Sequence, residues 1–242
     1  MTTTIPQAFA TAVRRDPTMP LLTWYDDATG DRTELSGATL ENWVSKTANL
    51  LVDGAGLGED DSVAVLLPPH WQSAAVLLGA WTAGLAVDLG DDPQPVAALF
   101  AVPDRVEAAA AWTTGDRYAT GLLPLAMPLR AVPPGYLDYV VEVRNYGDHF
   151  RAVRPVHEND RAFAGPVELS HLDVCHAATD RAEELGIAAG DRVLVDADAY
   201  PDPADWLLAP LLAGASVVLC ADLDPASVPR RAESEKVTVT LI

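Results

Sequence analysis

At 242 residues, with 49% hydrophobic and 21% charged side chains, the chain has the composition of a folded globular protein, long enough for one large domain or two smaller ones. Its 35 acidic residues against 16 basic ones leave a net charge of −19, which excludes a nucleic-acid partner, because phosphates demand a basic surface. There is no apolar run of ~18 residues and no basic-then-apolar N-terminus, so neither a membrane span nor a signal peptide is expected, and the chain is assigned to the cytoplasm.

In chain order, PLLTWYDDATGDRTELS (20–36) reads as a hairpin turning at DATGD. Residues 37–53 carry Leu40, Trp43, Val44, Thr47, Ala48 and Leu51 at helical spacing, with Ser36 as N-cap and Gly54 or Gly56 as the stop. SVAVLL (62–67) is a continuous apolar run, as for a strand buried on both faces. A buried helix (70–83), a strand (85–89), another strand (97–102) and a helix over DRVEAAAAW (104–112) follow.

Residues 112–160, rich in proline and glycine, read as a connector with one edge strand. YVVEVRNY (139–146) places Tyr139, Val141 and Val143 on one face. The chain then resumes with a helix (171–185), a strand (192–196), a helix (204–213) kinked or delayed by Pro210, a strand (216–220), a short helix (225–235) and a final strand (237–242).

Two of these stretches repeat. Asp61 and Asp191, Val63 and Val193, Val65 and Val195, Leu77 and Leu207, Gly84 and Gly214, Val87 and Val217, and Leu89 and Leu219 all differ by 130 positions. One offset held through strand, helix and strand marks a duplicated unit. Strands alternating with helices imply parallel pairing through right-handed crossovers. The expected fold is therefore α/β, with two duplicated parallel-sheet lobes and flanking helices. The expected division is a first lobe with the N-terminal hairpin (1–111), the connector (112–160) and a second lobe (161–242).

Few residues point to chemistry. Lysine occurs only at Lys46 and Lys236, and neither follows a glycine loop. GAGLG (54–58) follows a helix and precedes a strand, the reverse of a dinucleotide loop, and reads as a helix stop. VDADAYPDPAD (195–205) sets Asp196, Asp198, Asp202 and Asp205 beyond a strand, where α/β proteins bind ligands. The spacing fits no EF-hand and matches ordinary turn chemistry, so no metal site is assigned. VDLGDDP (87–93) is a weaker parallel. His171 and Cys175 lie four apart on one helix face, read as a core pair rather than a catalytic dyad or zinc site. Cys175 and Cys220 make no disulfide framework.

The remaining stretch is RAFAGPVELSHLDV (161–174). It ends in Ser170 as the N-cap of the next helix, but a phosphate loop needs glycines that let successive N–H groups converge, and a lysine. Gly165 is the only glycine between Gly147 and Gly186, and Pro166 has no N–H.

The N-terminal order LTWYDDATGDRTELSGATLENWVSKTANLLVDGAGLGEDDSVAVLLPPHWQSAAVLLGAWTAGLAVDL, with VELSHLDVCHAATDRAEELGIAAGDRVLVDAD and LLAPLLAGASVVLC, resembles the adenylate-forming superfamily of acyl-CoA synthetases, adenylation domains and luciferases. The resemblance covers nearly the whole chain, is weakest at 103–160, and corresponds to the first half of a full-length member. It implies a Ser/Thr/Gly-rich loop ending in Pro-Lys-Gly before Leu-Ser-His. Here Ala164, Gly165 and Pro166 precede Val167, Glu168, Leu169, Ser170 and His171, so the lysine position is Gly165 and the loop is degenerate at Gly165, Ser170 and His171.

Glu158, Asn159, Asp160, Arg161, Ala162 and Phe163 stand where hydroxyls and glycines are implied. Ala197, Asp198, Ala199 and Tyr200 replace the family's aromatic-histidine segment, and Asp196, Asp198 and Tyr200 are the candidate substrate-binding residues. The family's adenine-binding strand, its acidic Mg²⁺ and ribose ligands and its small C-terminal domain are expected beyond VTVTLI.

The resulting expectation is a non-catalytic relative, without cofactor or catalytic residues, that serves interaction with a protein partner, homodimerisation or small-molecule sensing. The alternatives are a subunit of a split ligase that uses ATP–Mg²⁺ once a partner completes it, and a module binding an acyl or aryl group.

Overall fold

The computed structural model describes residues 3–90 and 92–242; Met1, Thr2 and Asp91, the last within the 87–93 segment, lie outside the described residues. In chain order the elements are helix α1 (Ile5–Arg15), strands β1 (Pro20–Asp26) and β2 (Asp31–Ser36), α2 (Gly37–Asn49), β3 (Ser62–Leu66), α3 (Trp71–Thr82), β4 (Ala86–Asp88), β5 (Val96–Ala101), α4 (Val106–Ala109), β6 (Thr114–Ala119), β7 (Leu137–Asp138), α5 (Tyr139–Val143), β8 (Arg161–Phe163), β9 (Leu169–Ser170), α6 (His171–Glu184), β10 (Arg192–Asp196), α7 (Ala209–Ala213), β11 (Ser216–Ala221), α8 (Val228–Glu235) and β12 (Val239–Leu241). The α/β class holds, with parallel pairing dominant in two sheets. Among the described residues no helix is long and apolar enough to cross a membrane.

The chain forms two compact units that interleave in sequence. One comprises residues 3–40, 69–74 and 172–242, the other residues 41–68 and 75–171. This differs from the division at 1–111, 112–160 and 161–242. The hairpin β1–β2 does not join the sheet of β3 and β4: β1 pairs in parallel with β11, Leu22 opposite Val217. The connector is no mere linker, since β6 and β7 extend the other sheet beside β5. β8 and β9 belong to that sheet as well, through β4. An apolar strand declares that it will be buried but not which distant strand it will pair with, so the period alone cannot place these segments.

The sheet of the first unit has the order β12-β10-β11-β1-β2, that of the second β7-β6-β5-β3-β4-β8-β9. The repeat survives as hydrogen bonding. β3 and β4 pair Ser62 with Ala86 and Val63 with Val87; β10 and β11 pair Arg192 with Ser216 and Val193 with Val217, each residue displaced by 130. Asp61 Oδ2 accepts from Gly58 N (2.8 Å) and its carbonyl from Ala86 N (3.2 Å); Asp191 Oδ2 accepts from Ala188 N (2.6 Å) and its carbonyl from Ser216 N (2.9 Å). Gly84 and Gly214 end the intervening helices at φ +82° and +78°, a conformation glycine adopts without strain.

The copies part at the helix between their strands. α3 is regular, whereas residues 204–208 are wound as a π-helical turn in which Ala209 N reaches Ala204 O, before α7, whose second residue is Pro210. The wider turn suits a residue that lacks an N–H and crowds the preceding turn.

YVVEVRNY is also not a strand. Asp138 accepts from Val140 N (2.8 Å) and Val141 N (3.3 Å) and starts α5, which buries Tyr139, Val140 and Val143, a helical face. A strong N-cap outweighs a short alternation. Tyr139 OH lies 2.8 Å from Thr47 Oγ1, and α3 passes Thr47 so closely that a Cβ on Gly79 would sit 2.6 Å from the Thr47 Cβ.

In the first unit, α8 is fastened to the sheet by Glu235, whose side chain is only 8% exposed and accepts from Tyr25 OH (2.6 Å), Arg192 (2.6 Å) and Arg32 (2.9 Å). Burial alone would raise this carboxyl, but the three donors outweigh it and bring it from 4.5 down to about 2. A lowered folded-state value stabilises the fold above 4.5 and is lost as the pH falls from 4.5 toward 2. Glu235→Gln is expected to lower unfolding free energy near neutral pH by about 2 kcal/mol, the scale of hydrogen bonds to a charged group. The gap from wild type should narrow through that acid range, and urea denaturation at several pH values checks both.

Candidate functional site

The stretch that resembles a phosphate loop folds as the hairpin β8–β9, with residues 164–168 as its loop. The hairpin docks onto β4 through Val87 opposite Phe163 and Ala164 N donating to Val87 O (2.8 Å). Trp81 clamps it from α3, donating Nε1–H to Ala162 O (2.8 Å) while its ring meets Phe163 edge-on. Ser170 closes β9, and α6 begins at His171, as the sequence implied. His171 is fully buried, its backbone N–H donating to Asp160 O (3.0 Å), and burial pushes its imidazole down to about 4, so it is neutral at physiological pH.

The loop offers an anion little. Ala164 N–H is spent on the sheet and Pro166 has none. Arg161, the cation of the hairpin, is bonded to Glu168 (2.8 Å) and to Asp60 O (2.8 Å). Arg154 is held between Glu59 and Asp160. Burial would raise the Asp160 carboxyl, but Arg154 and the His157 N–H outweigh it and hold it low, so it stays ionised.

Beneath the loop lies a carboxylate that motif reading missed. Asp88 ends β4 and is 1% exposed. Gly165, at φ +124°, faces it, and a Cβ there would lie 3.6 Å from Asp88 Oδ1. Gly90 N–H donates to Oδ1 (2.8 Å), while Oδ2 has no hydrogen-bond partner among the described residues. Burial pushes this carboxyl up, Gly90 pulls it back, and the charge of Asp92 pushes it up again. The repeat held the signal: the position 130 residues on is Val218, fully buried at the matching place in β11. A fold that accepts valine there carries an acid here.

Asp196, Asp198 and Tyr200 lie in the turn after β10, in the other unit. Asp196 Oδ1 accepts from Asp198 N (3.0 Å) and Ala199 N (3.5 Å), Tyr200 N donates to Asp196 O (3.0 Å), and Asp198 Oδ2 accepts from Asp222 N (3.2 Å). Asp202 caps Ala204 N (2.8 Å), and Asp205 pairs with Arg181 (2.6 Å). These carboxylates are engaged in holding the turn. Among the described residues no group of three or more His, Cys, Asp or Glu side chains could hold a metal ion. Cys175 and Cys220 are buried, and burial pushes both thiols up to about 11, far from a reactive thiolate.

Residues 9–126 match the family of AMP-binding enzymes. A TIGR03089 family protein of Mycobacterium tuberculosis is 43% identical over 236 residues, covering 95% of this chain and 94% of its own length. Among solved structures, a Brucella canis acyl-CoA synthetase superposes with a TM-score of 0.73 at 18% identity, over 96% of this chain and 46% of its own. A Mycobacterium tuberculosis fatty acyl CoA synthetase gives 0.71 at 15% (98% and 49%). The anthranilate CoA ligase AuaEII, solved with anthranoyl-AMP, gives 0.72 at 16% (99% and 50%). The chain thus spans about half the length of these three enzymes, and at such identities the likeness is one of fold.

Asp88→Val, which copies Val218, is expected to raise unfolding free energy by about 1–2 kcal/mol, the scale of an unsatisfied buried polar group. Because the folded protein raises this carboxyl, its cost appears as the pH rises past the ordinary carboxylate range. The gain should therefore be largest near neutral pH and shrink in acid, as read by thermal melts across pH.

Proposed function

The chain belongs to the TIGR03089 family, with the AMP-binding enzyme match over residues 9–126, and we propose that it uses this acyl-CoA synthetase-like fold without adenylating a substrate. Its role on this reading is interaction or small-molecule sensing. The observation that carries the reading is the buried carboxyl of Asp88 facing Gly165, at the hairpin whose sequence the resemblance matches to the phosphate loop of adenylate-forming enzymes. Adenylation depends on donors and cations aimed at the phosphoryl groups. Here Arg161 and Arg154 are committed to carboxylates, Pro166 offers no N–H, and Asp160 and Glu168 supply negative charge. These residues do not fit a triphosphate.

A second reading, a half-ligase completed by another chain, is favoured by β12. This three-residue strand stands at the edge of its sheet and is followed by the exposed Ile242. Co-purification of a chain carrying adenylating activity supports that reading over the first.

Isothermal calorimetry of the chain with ATP–Mg²⁺ is expected to give no saturable heat, and pyrophosphate exchange with carboxylic acids is expected to stay at background. Saturable ATP binding or exchange by the chain alone overturns the proposal.

A further inference from the structure

The second unit also contains a cavity away from the β8–β9 loop. The geometry points to this cavity as a binding site for a small, neutral, largely apolar molecule, with acidic molecules of the same size excluded. It encloses about 320 Å³ between the π-helical turn that ends α2 (Leu50–Gly54), the turn after α3 and the segment before β8. That volume lies at the lower end of the range for ligand pockets, about 300–1,000 Å³. Its walls are apolar, built from Leu57, Ala83, Phe150 and Val156. Val153, also on the lining, is 100% exposed, an apolar side chain left in water at the rim.

Charge at the same lining sets the class of occupant. Arg154 donates to Glu59, to Asp160 (2.9 Å) and to the carbonyl of Pro155 (3.3 Å). One cation between two carboxylates leaves this wall with a net negative charge, and the guanidinium is already committed. A carboxylate entering the cavity would face Glu59 and Asp160 with Arg154, the cation of the lining, already paired to both, in a chain whose net charge is −19. A neutral ring or short branched chain would meet Phe150, Leu57 and Val156 at no such cost.

The triad also fixes the wall. Residues 150–156 have no helix or strand of their own, and Arg154 anchors them to Glu59, before β3, and to Asp160, at the foot of β8. The cavity is therefore pre-formed, which spares a ligand the ordering of its own site. The inference names a ligand class for the sensing role proposed above and rests on that reading only for its purpose. The cavity stands whether or not the hairpin binds ATP.

Calorimetric titration of the full chain with indole and with indole-3-acetate near neutral pH tests it. Indole is expected to saturate a single site and indole-3-acetate to bind about ten-fold more weakly or not at all, about 1.4 kcal/mol of discrimination. Ala83→Phe, which fills the cavity, should abolish indole binding. Phe150→Ala, which removes one wall, should weaken it at least several-fold, and it carries the test should Ala83→Phe fail to fold. Absence of saturable indole binding, equal affinity for the two compounds, or indole binding that every folded variant leaves intact overturns the inference. A parallel ATP–Mg²⁺ titration reports on the non-adenylating reading independently, so failure of one is distinguishable from failure of the other.

Discussion

One aspartate in each unit fixes where its parallel sheet begins. Asp61 and Asp191 close the turn before β3 and β10 with a side-chain oxygen, and their own carbonyls receive the amides of Ala86 and Ser216 at the start of the neighbouring strand. The central strands are buried on both faces: Val63, Ala64 and Val65 in one, Val193, Leu194 and Val195 in the other. Alternation sets register when one face is wet; here both faces are dry, and a one-residue slip would still bury apolar groups. Register must come from a polar clasp. Because turn and strand start hang on the same residue, neither can shift without the other.

Around that clasp the two sheets grow by a common plan. β3 takes β5 on one side and β4 on the other; β10 takes β12 and β11. The outer flank of β4 is covered by β8 paired in parallel, with β9 returning antiparallel; that of β11 is covered by β1 and β2 in the same sense. The hairpin at 161–170 and the hairpin at 20–36 are thus equivalent edge covers. Exposed strand edges are a liability, so a sheet ending at β4 would need such a cover whatever its chemistry.

The parts legible in the sequence were those dictated by burial. The 130-residue repeat, the strands 62–66 and 192–196 and helix α6 all follow from apolar runs and caps, and all stand where expected. What the pattern could not carry was pairing across long separations: β1 with β11, β8 with β4. It also misread YVVEVRNY (139–146), where an alternation carried by Tyr139, Val141 and Val143 alone is too short to separate a period of 2 from one of 3.6 and the Asp138 cap decided. At the hairpin, the missing lysine and glycines were plain, while the acid beneath them was not. Asp88 sits in the strand read at 85–89 and in VDLGDDP, the weaker parallel of the Asp196 cluster, and the parallel with Val218 marks it as a core position. Arg154 escaped notice because its partners, Glu59 and Asp160, are separated from each other by most of the unit's sequence.

The hairpin and the acid under it therefore call for different explanations. The hairpin persists for a structural reason: β8 and β9 cover β4, Trp81 clamps Ala162, and α6 starts from its end. None of those contacts draws on a lysine or a glycine-rich loop, so the architecture of the hairpin does not depend on phosphate binding. Asp88 has no such excuse. Its counterpart in the other copy is valine, its Oδ2 lacks a partner among the described residues, and burial works against its ionised form. A stable fold does not require it, and a phosphate site does not tolerate it. Asp88 is thus an acid held at the carboxyl end of a parallel strand for which the packing of the sheet gives no reason, and groups of that kind gather at functional sites.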